Sequence, residues 1–334
     1  MPKPSSKQNA SSAPFPPIDQ IYRHTVTEGF TQSEFSEMSC MQRWNNRYNH
    51  LLVKPGEIQF PFTVGSIFHD AMEQFYVTKG MRVKVATLQF KEYEVPSAVD
   101  IQKREYWNHV LPAMVDAYMI EYKADPVLWE IIHVEKELDV MYRGFRLRGK
   151  VDLKIRQKNG IWIVDHKTMG RLNKDVVAGW DFRFQFMFYL WLMTLSGDPD
   201  KLMGYIVNGV KKPELRVKQG ESIQSFAIRV KEDMIQNPDK YYFREEYPIG
   251  KGALDNFQKH VVDPKLDKLQ FMIDNPNHPL TQALLQDKNT SECQKWGGAP
   301  CQYIEMCRHG REKMIHLYTE KPAKHEELEE GDEV

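Results

Sequence analysis

Hydrophobic period, more than composition, limits the folds open to this chain. In "IIHVEKELDV" Ile132, Val134, Leu138 and Val140 alternate with polar partners. In "FRLRGKVDLKI" Phe145, Leu147, Val151, Leu153 and Ile155 do the same. Asn159 and Gly160 then form a hairpin signal. The run "IWIVDHK" beyond them starts apolar on both faces, as a central strand does. Three adjacent strands are predicted, and they carry three charges, Asp152, Asp165 and Lys167, that a strand entering a core ordinarily lacks.

Pairing geometry gives those charges a common place. A turn at Asn159 and Gly160 sets Lys167 opposite Asp152, whereas a four-residue loop over 157–160 sets Asp165 opposite Asp152. Either register puts Asp152, Asp165 and Lys167 on one face, because residues two apart and direct partners share a face. Two carboxylates that close repel unless something positive lies between them. A hard divalent cation such as Mg²⁺ or Mn²⁺ satisfies them, and a neighbouring lysine then stabilises negative charge on a phosphate. The alternative is a solvated face carrying Asp–Lys salt bridges.

Elsewhere the pattern is helical. A first helix is expected through "QSEFSEMSCMQRWNNRYNH" and a second from about Thr63, where Val64, Ile67, Phe68, Ala71, Met72 and Phe75 fall at helical spacing. A third spans about 99–123, and a long apolar helix fills roughly 180–196, before a strand in "LMGYIVNGVKK"; the remainder to about 315 reads as mainly helical. Helix, three strands, helix, strand predicts a mixed α/β core wrapped in helices. Residues 1–20 read as a disordered lead-in, 21–315 as one domain and 316–334 as a disordered acidic tail.

Over 334 residues the net charge is −1, so nothing global calls for a polyanion partner. The local exception is Met141–Gly160, which holds Arg143, Arg146, Arg148, Lys150, Lys154, Arg156 and Lys158 against the single acid Asp152. The longest apolar run, "FQFMFYLWLM", is too short to span a bilayer, and no secretory signal is visible. A cytoplasmic, reducing location is expected, where four cysteines are not disulfides.

The sequence "GKVD" followed after a hairpin by "IVDHKT" resembles the PD-(D/E)XK nuclease superfamily, in its RecB-like exonuclease branch. The resemblance implies a restriction-endonuclease-like αβββαβ core. Asp152 and Asp165 match the two acidic positions, and Lys167 matches the catalytic lysine. "GSIFHDAMEQFY" resembles the family's Gly-x-x-x-His helix, which makes His69 a metal ligand. "QFMFY" resembles its Gln-x-x-x-Tyr helix, which sets Gln185 and Tyr189 beside the lysine. The backbone carbonyl of His166 is a further implied ligand, and Glu135 or Glu137 a candidate outer carboxylate.

One cysteine before this region, Cys40, and three after it, Cys293, Cys301 and Cys307 in "CQKWGGAPCQYIEMC", resemble the iron–sulfur RecB-like nucleases of the AddB type. There a 4Fe–4S cluster staples the chain ends together, with no part in hydrolysis. The gap of seven residues between Cys293 and Cys301 departs from that pattern. A Cys₄ zinc site is the alternative. Taken together, the resemblance implies a Mg²⁺- or Mn²⁺-dependent DNA nuclease of recombination, repair or replication. Arg146, Arg148, Lys150 and Lys154 would track the phosphate backbone, and Trp180 and Phe182 would stack on a frayed base. A helicase or recombination partner is expected, without a membrane. The competing expectation is a non-catalytic DNA-binding or scaffold subunit with the same fold.

Overall fold

A computed structural model describes residues 27–55, 60–90, 96–157, 160–170, 183–197, 201–295 and 299–320. The chain divides into two compact units. The larger comprises Thr31–Ser33 and Pro55–Asp263, and the smaller draws on Glu34–Lys54 and Pro264 onward.

The larger unit starts with helix α1 (Phe60–Val77) and helix α2 (Ala98–Glu121). Three strands follow, β1 (Glu130–Tyr142), β2 (Phe145–Gln157) and β3 (Gly160–Met169). Helix α3 (Phe184–Leu195), strand β4 (Leu202–Lys211), helix α4 (Ile223–Gln236) and strand β5 (Tyr242–Pro248) come next, with short helical turns between and after these elements. The sheet order is β1-β2-β3-β4-β5. Neighbours are antiparallel except β3 and β4, which run parallel because α3 lies between them in the chain. The expected mixed α/β fold is found, as a five-stranded sheet flanked by helices.

Local chemistry explains the element ends. Ser97 caps α2: its hydroxyl accepts the Asp100 N–H at 3.2 Å, and Asp100 accepts the Ser97 N–H at 3.0 Å. The apolar stripe of α1 (Val64, Phe68, Ala71, Met72, Phe75) is buried as its spacing requires. It packs with α2 and α4 on one sheet face, against Leu153, Ile155, Trp162, Val164, Ile206 and Val210. From α3, Phe186 stacks on Tyr205 at 4.4 Å and Trp191 meets Tyr142 edge-on at 5.0 Å. Strand β5 is a correction: the stretch after 211 was expected to be mainly helical, yet Tyr242–Pro248 pairs antiparallel with β4.

The helix expected as one run from residue 32 is broken. Gln32–Glu37 ends, Cys40 turns into extended backbone, and Met41–Trp44 resumes. Leu52, Tyr303, Met306 and Tyr318 form a small core. Within the stretch 316–334 expected as tail, Thr319–Glu320 pairs with Leu52–Val53. The expected lead-in 1–20, the turn residue Asn159 and the stacking candidates Trp180 and Phe182 lie outside the described residues. Among those described, no helix is long and apolar enough to cross a membrane.

Candidate metal centre and active site

Register decides the site. Gln157 pairs with Gly160 and Leu153 with Val164, so one step further Asp152 falls opposite Asp165. Of the two expected registers this is the second, reached through a two-residue connection. The ladder ends at Leu153, and beyond it the Asp152 carboxylate accepts the His166 backbone N–H at 2.8 Å. On the other side of β2, Val134 pairs with Leu153 and Lys136 with Val151, so Glu135 also falls opposite Asp152. Glu135, Asp152 and Asp165 therefore lie in one row across three neighbouring strands. Glu135 has φ 49°, a left-handed conformation uncommon for glutamate.

Helix α1 brings His69 to this row. Its Nδ1 is 3.2 Å from Asp152 Oδ2. The ligand atoms of His69, Glu135 and Asp152 all lie within 4.8 Å of one another. Burial works against a charged His69, but the Asp152 carboxylate outweighs it and raises the imidazole to about 9. Burial works the other way on Asp152, yet His69 and Lys167 hold it well below the usual carboxylate range. Asp165, 3% exposed, is pushed up by burial and by Asp152, with Lys167 opposing. Burial, and then Asp152, likewise raise Glu135 against Lys150, whose Nζ sits 2.9 Å from Glu135 Oε2.

Lys167 straddles the Asp165 carboxylate, 2.9 Å from Oδ1 and 2.8 Å from Oδ2. Gln185, in the first turn of α3, donates to the same Oδ1 at 3.1 Å. Tyr189, one turn on, packs over Gly149, where a Cβ would lie 2.9 Å from its ring. The glycine that precedes Asp152 by three is thus the seat of the tyrosine that follows Gln185 by four.

His166 points to the opposite face, where it is buried. Its ring stacks on Tyr76 at 5.4 Å, and its Nδ1 accepts from Asn208 Nδ2 at 3.0 Å. Asn208 also donates to Tyr118 and accepts from Arg244 Nε at 3.2 Å. Arg244 makes two hydrogen bonds to Asp125, at 2.9 and 2.6 Å, between the rings of Tyr122 and Trp129. Burial depresses the imidazole to about 3, so it is neutral. Sequence reasoning missed this network. Its only trace was an asparagine inside the apolar run "YIVNGV".

The family model described as the PD-(D/E)XK nuclease superfamily matches residues 34–308. The chain belongs to that superfamily. The crystal structure of a "Putative exonuclease" from Eubacterium rectale is similar at TM-score 0.43 and 13% identity, covering 100% of each chain. No curated protein matches the sequence.

PD-(D/E)XK nucleases use divalent metals. An imidazole and carboxylate oxygens on rigid elements suit a hard ion such as Mg²⁺ or Mn²⁺, so the residues present fit the group. The basic candidates divide. Lys154 is only 3% exposed, which corrects the expectation that it tracks a phosphate backbone. Arg146 is engaged by Asp139, and Lys150 by Glu135. Glu137 is exposed on β1.

The smaller unit of this PD-(D/E)XK protein holds the cysteines. Cys40, Cys293, Cys301 and Cys307 are free thiols that line one cavity of about 400 Å³, with Arg43 and Lys288 beside them. Burial raises Cys301 and Cys307, and the nearby thiols add to it. Among the described residues, His69, Glu135 and Asp152 alone offer three His, Cys, Asp or Glu ligand atoms within 4.8 Å of one another. Four thiols lining one cavity are a donor set that suits a thiolate-ligated metal group, and Arg43, Lys288 and Arg308 line the same cavity.

Proposed function

We propose that this protein is a divalent-metal-dependent DNA nuclease that acts as an exonuclease in recombination, repair or replication. The observation that carries the reading is the convergence, where β2 and β3 part, of His69 with Asp152 and of Lys167 with Asp165. His69, Asp152, Asp165 and the His166 carbonyl hold the ion, which when bound lowers the pKa of water and offsets phosphate charge. Lys167 positions the attacking water and faces the developing negative charge. Gln185 keeps the Asp165 carboxylate turned toward Lys167, and Tyr189 fixes the helix that carries Gln185. Catalysis by this set is general positioning plus electrostatics, since the phosphodiester needs no covalent intermediate with the protein.

Exonuclease action and the DNA transactions named rest on the family resemblance. We read the four-thiol cavity as the seat of a 4Fe–4S cluster that ties Cys40 to the segment 293–307. Its role is structural.

Magnesium-dependent digestion of end-labelled single- and double-stranded DNA tests the reading. Lys167→Met and Asp165→Asn are each expected to lower cleavage by about 10³-fold while DNA binding persists. Persistent binding with no cleavage by the wild type, at any divalent ion, would instead identify a DNA-binding subunit. Anaerobic purification tests the cluster: a brown protein is expected, with the colour lost in Cys301→Ser. A colourless wild type containing one zinc per chain would sink it.

A further inference from the structure

Glu135 was expected at most as an outer carboxylate, yet three observations set it at the metal centre itself. The register carries it opposite Asp152, on the side of β2 away from Asp165. Its carboxylate comes within 4.8 Å of the ligand atoms of both His69 and Asp152, which Asp165 does not match. Its backbone adopts φ 49° inside a strand, a strained conformation that the surrounding sheet sustains. The β1–β2 ladder skips Glu135, between Val134 and Lys136, as it does at the bulge around Ile132.

We propose that Glu135 is a direct ligand of the divalent ion, and that Lys150 is the cation that balances its carboxylate when the ion is absent. This rests on the reading of the site as a divalent-metal centre. Lys150 sits 2.9 Å from Glu135 Oε2, partly exposed on β2 and two residues before Asp152. Of the three carboxylates in a row across β1, β2 and β3, Glu135 meets Lys150, Asp152 meets His69 and Asp165 meets Lys167. A divalent ion shared by Glu135 and Asp152 displaces Lys150 from that balance. Removing Lys150 therefore strengthens metal binding, and does so only while residue 135 bears a carboxylate. That dependence separates a ligand from a strap that merely joins two strands.

Mn²⁺ binding to the full chain, followed by calorimetry and by loss of the free-ion paramagnetic signal, tests this without turnover. Glu135→Gln should weaken binding by about tenfold or more. Lys150→Met should tighten it, and Lys150→Met added to Glu135→Gln should change nothing further. Unchanged Mn²⁺ affinity in Glu135→Gln overturns the proposal. Equal tightening by Lys150→Met with and without the Glu135 carboxylate also overturns it, because long-range charge then accounts for the effect. If Glu135→Gln does not fold, Glu135→Asp replaces it. Loosened Mn²⁺ binding at an unshifted melting temperature then supports the proposal, and unchanged binding overturns it. A folded wild type that binds no Mn²⁺ removes both this inference and the reading of the site beneath it. Retained Mn²⁺ binding that is indifferent to residue 135 removes this inference alone.

Discussion

At Gly149 a single hydrogen in place of a methyl group lets the Tyr189 ring lie against β2, because a Cβ there would approach its carbon atoms to 2.9 Å. Gly149→Ala should therefore destabilise the protein by about 1–3 kcal/mol, read from the urea midpoint at constant slope. It should also loosen Gln185, one turn away on the same helix. Gly204 is tighter still: a Cβ would fall 2.0 Å from the Tyr247 carbonyl oxygen, across the β4–β5 pairing. Gly204→Ala should cost more than Gly149→Ala in the same measurement, since backbone cannot move aside as a tyrosine ring can. Both glycines were visible in the sequence. Which side chain each one faces was not, because that depends on how separate elements meet.

At the scale of elements, β4 is held by a buried polar network as well as by its ladder. Asn208 joins His166 on β3, Tyr118 on α2 and Arg244 on β5. Arg244 in turn balances Asp125, which is 6% exposed. Arg244→Met should lower stability by about 3–5 kcal/mol, because it leaves a buried carboxylate uncompensated. Arg244→Met combined with Asp125→Asn should recover part of the loss, a non-additivity that thermal unfolding of the four proteins would reveal. Strand β5, which supplies Arg244, was missed because "YYFREEYP" mixes aromatic and charged residues without clean alternation. It is an edge strand, half-buried, and its pairing with β4 rather than its own pattern makes it a strand. Strands β1 and β2 were legible because their apolar residues alternate with polar ones, and β3 because an apolar run with two buried faces follows a hairpin signal.

For the molecule as a whole, two buried histidines should withdraw stability on acidification, against the raised carboxyls of Glu135 and Asp165, which work the other way. Burial, then the charge of Arg311, lowers His50 to about 3, and burial does the same to His166. Unfolded, each titrates near 6.5. Above that pH neither state takes the proton, so these residues leave stability flat. Between about 6.5 and 3 the unfolded chain binds protons that the folded one refuses, and stability drops as pH falls. His50→Gln should flatten the melting-temperature profile between pH 7 and 5 relative to the wild type, a difference scanning calorimetry measures. The sequence by itself determined the mixed α/β class, the three-stranded run and the shared face of Asp152, Asp165 and Lys167, because period-two alternation fixes which side each residue takes. It also offered two registers and could not choose between them. Tertiary structure chose, set Asp152 opposite both Asp165 and Glu135, and carried His69 in from a helix more than sixty residues away. It likewise gathered Cys40 and the distant Cys293, Cys301 and Cys307 around one cavity. The physical reason is the same in each case: alternation encodes a face, whereas the meeting of distant elements depends on how whole faces pack.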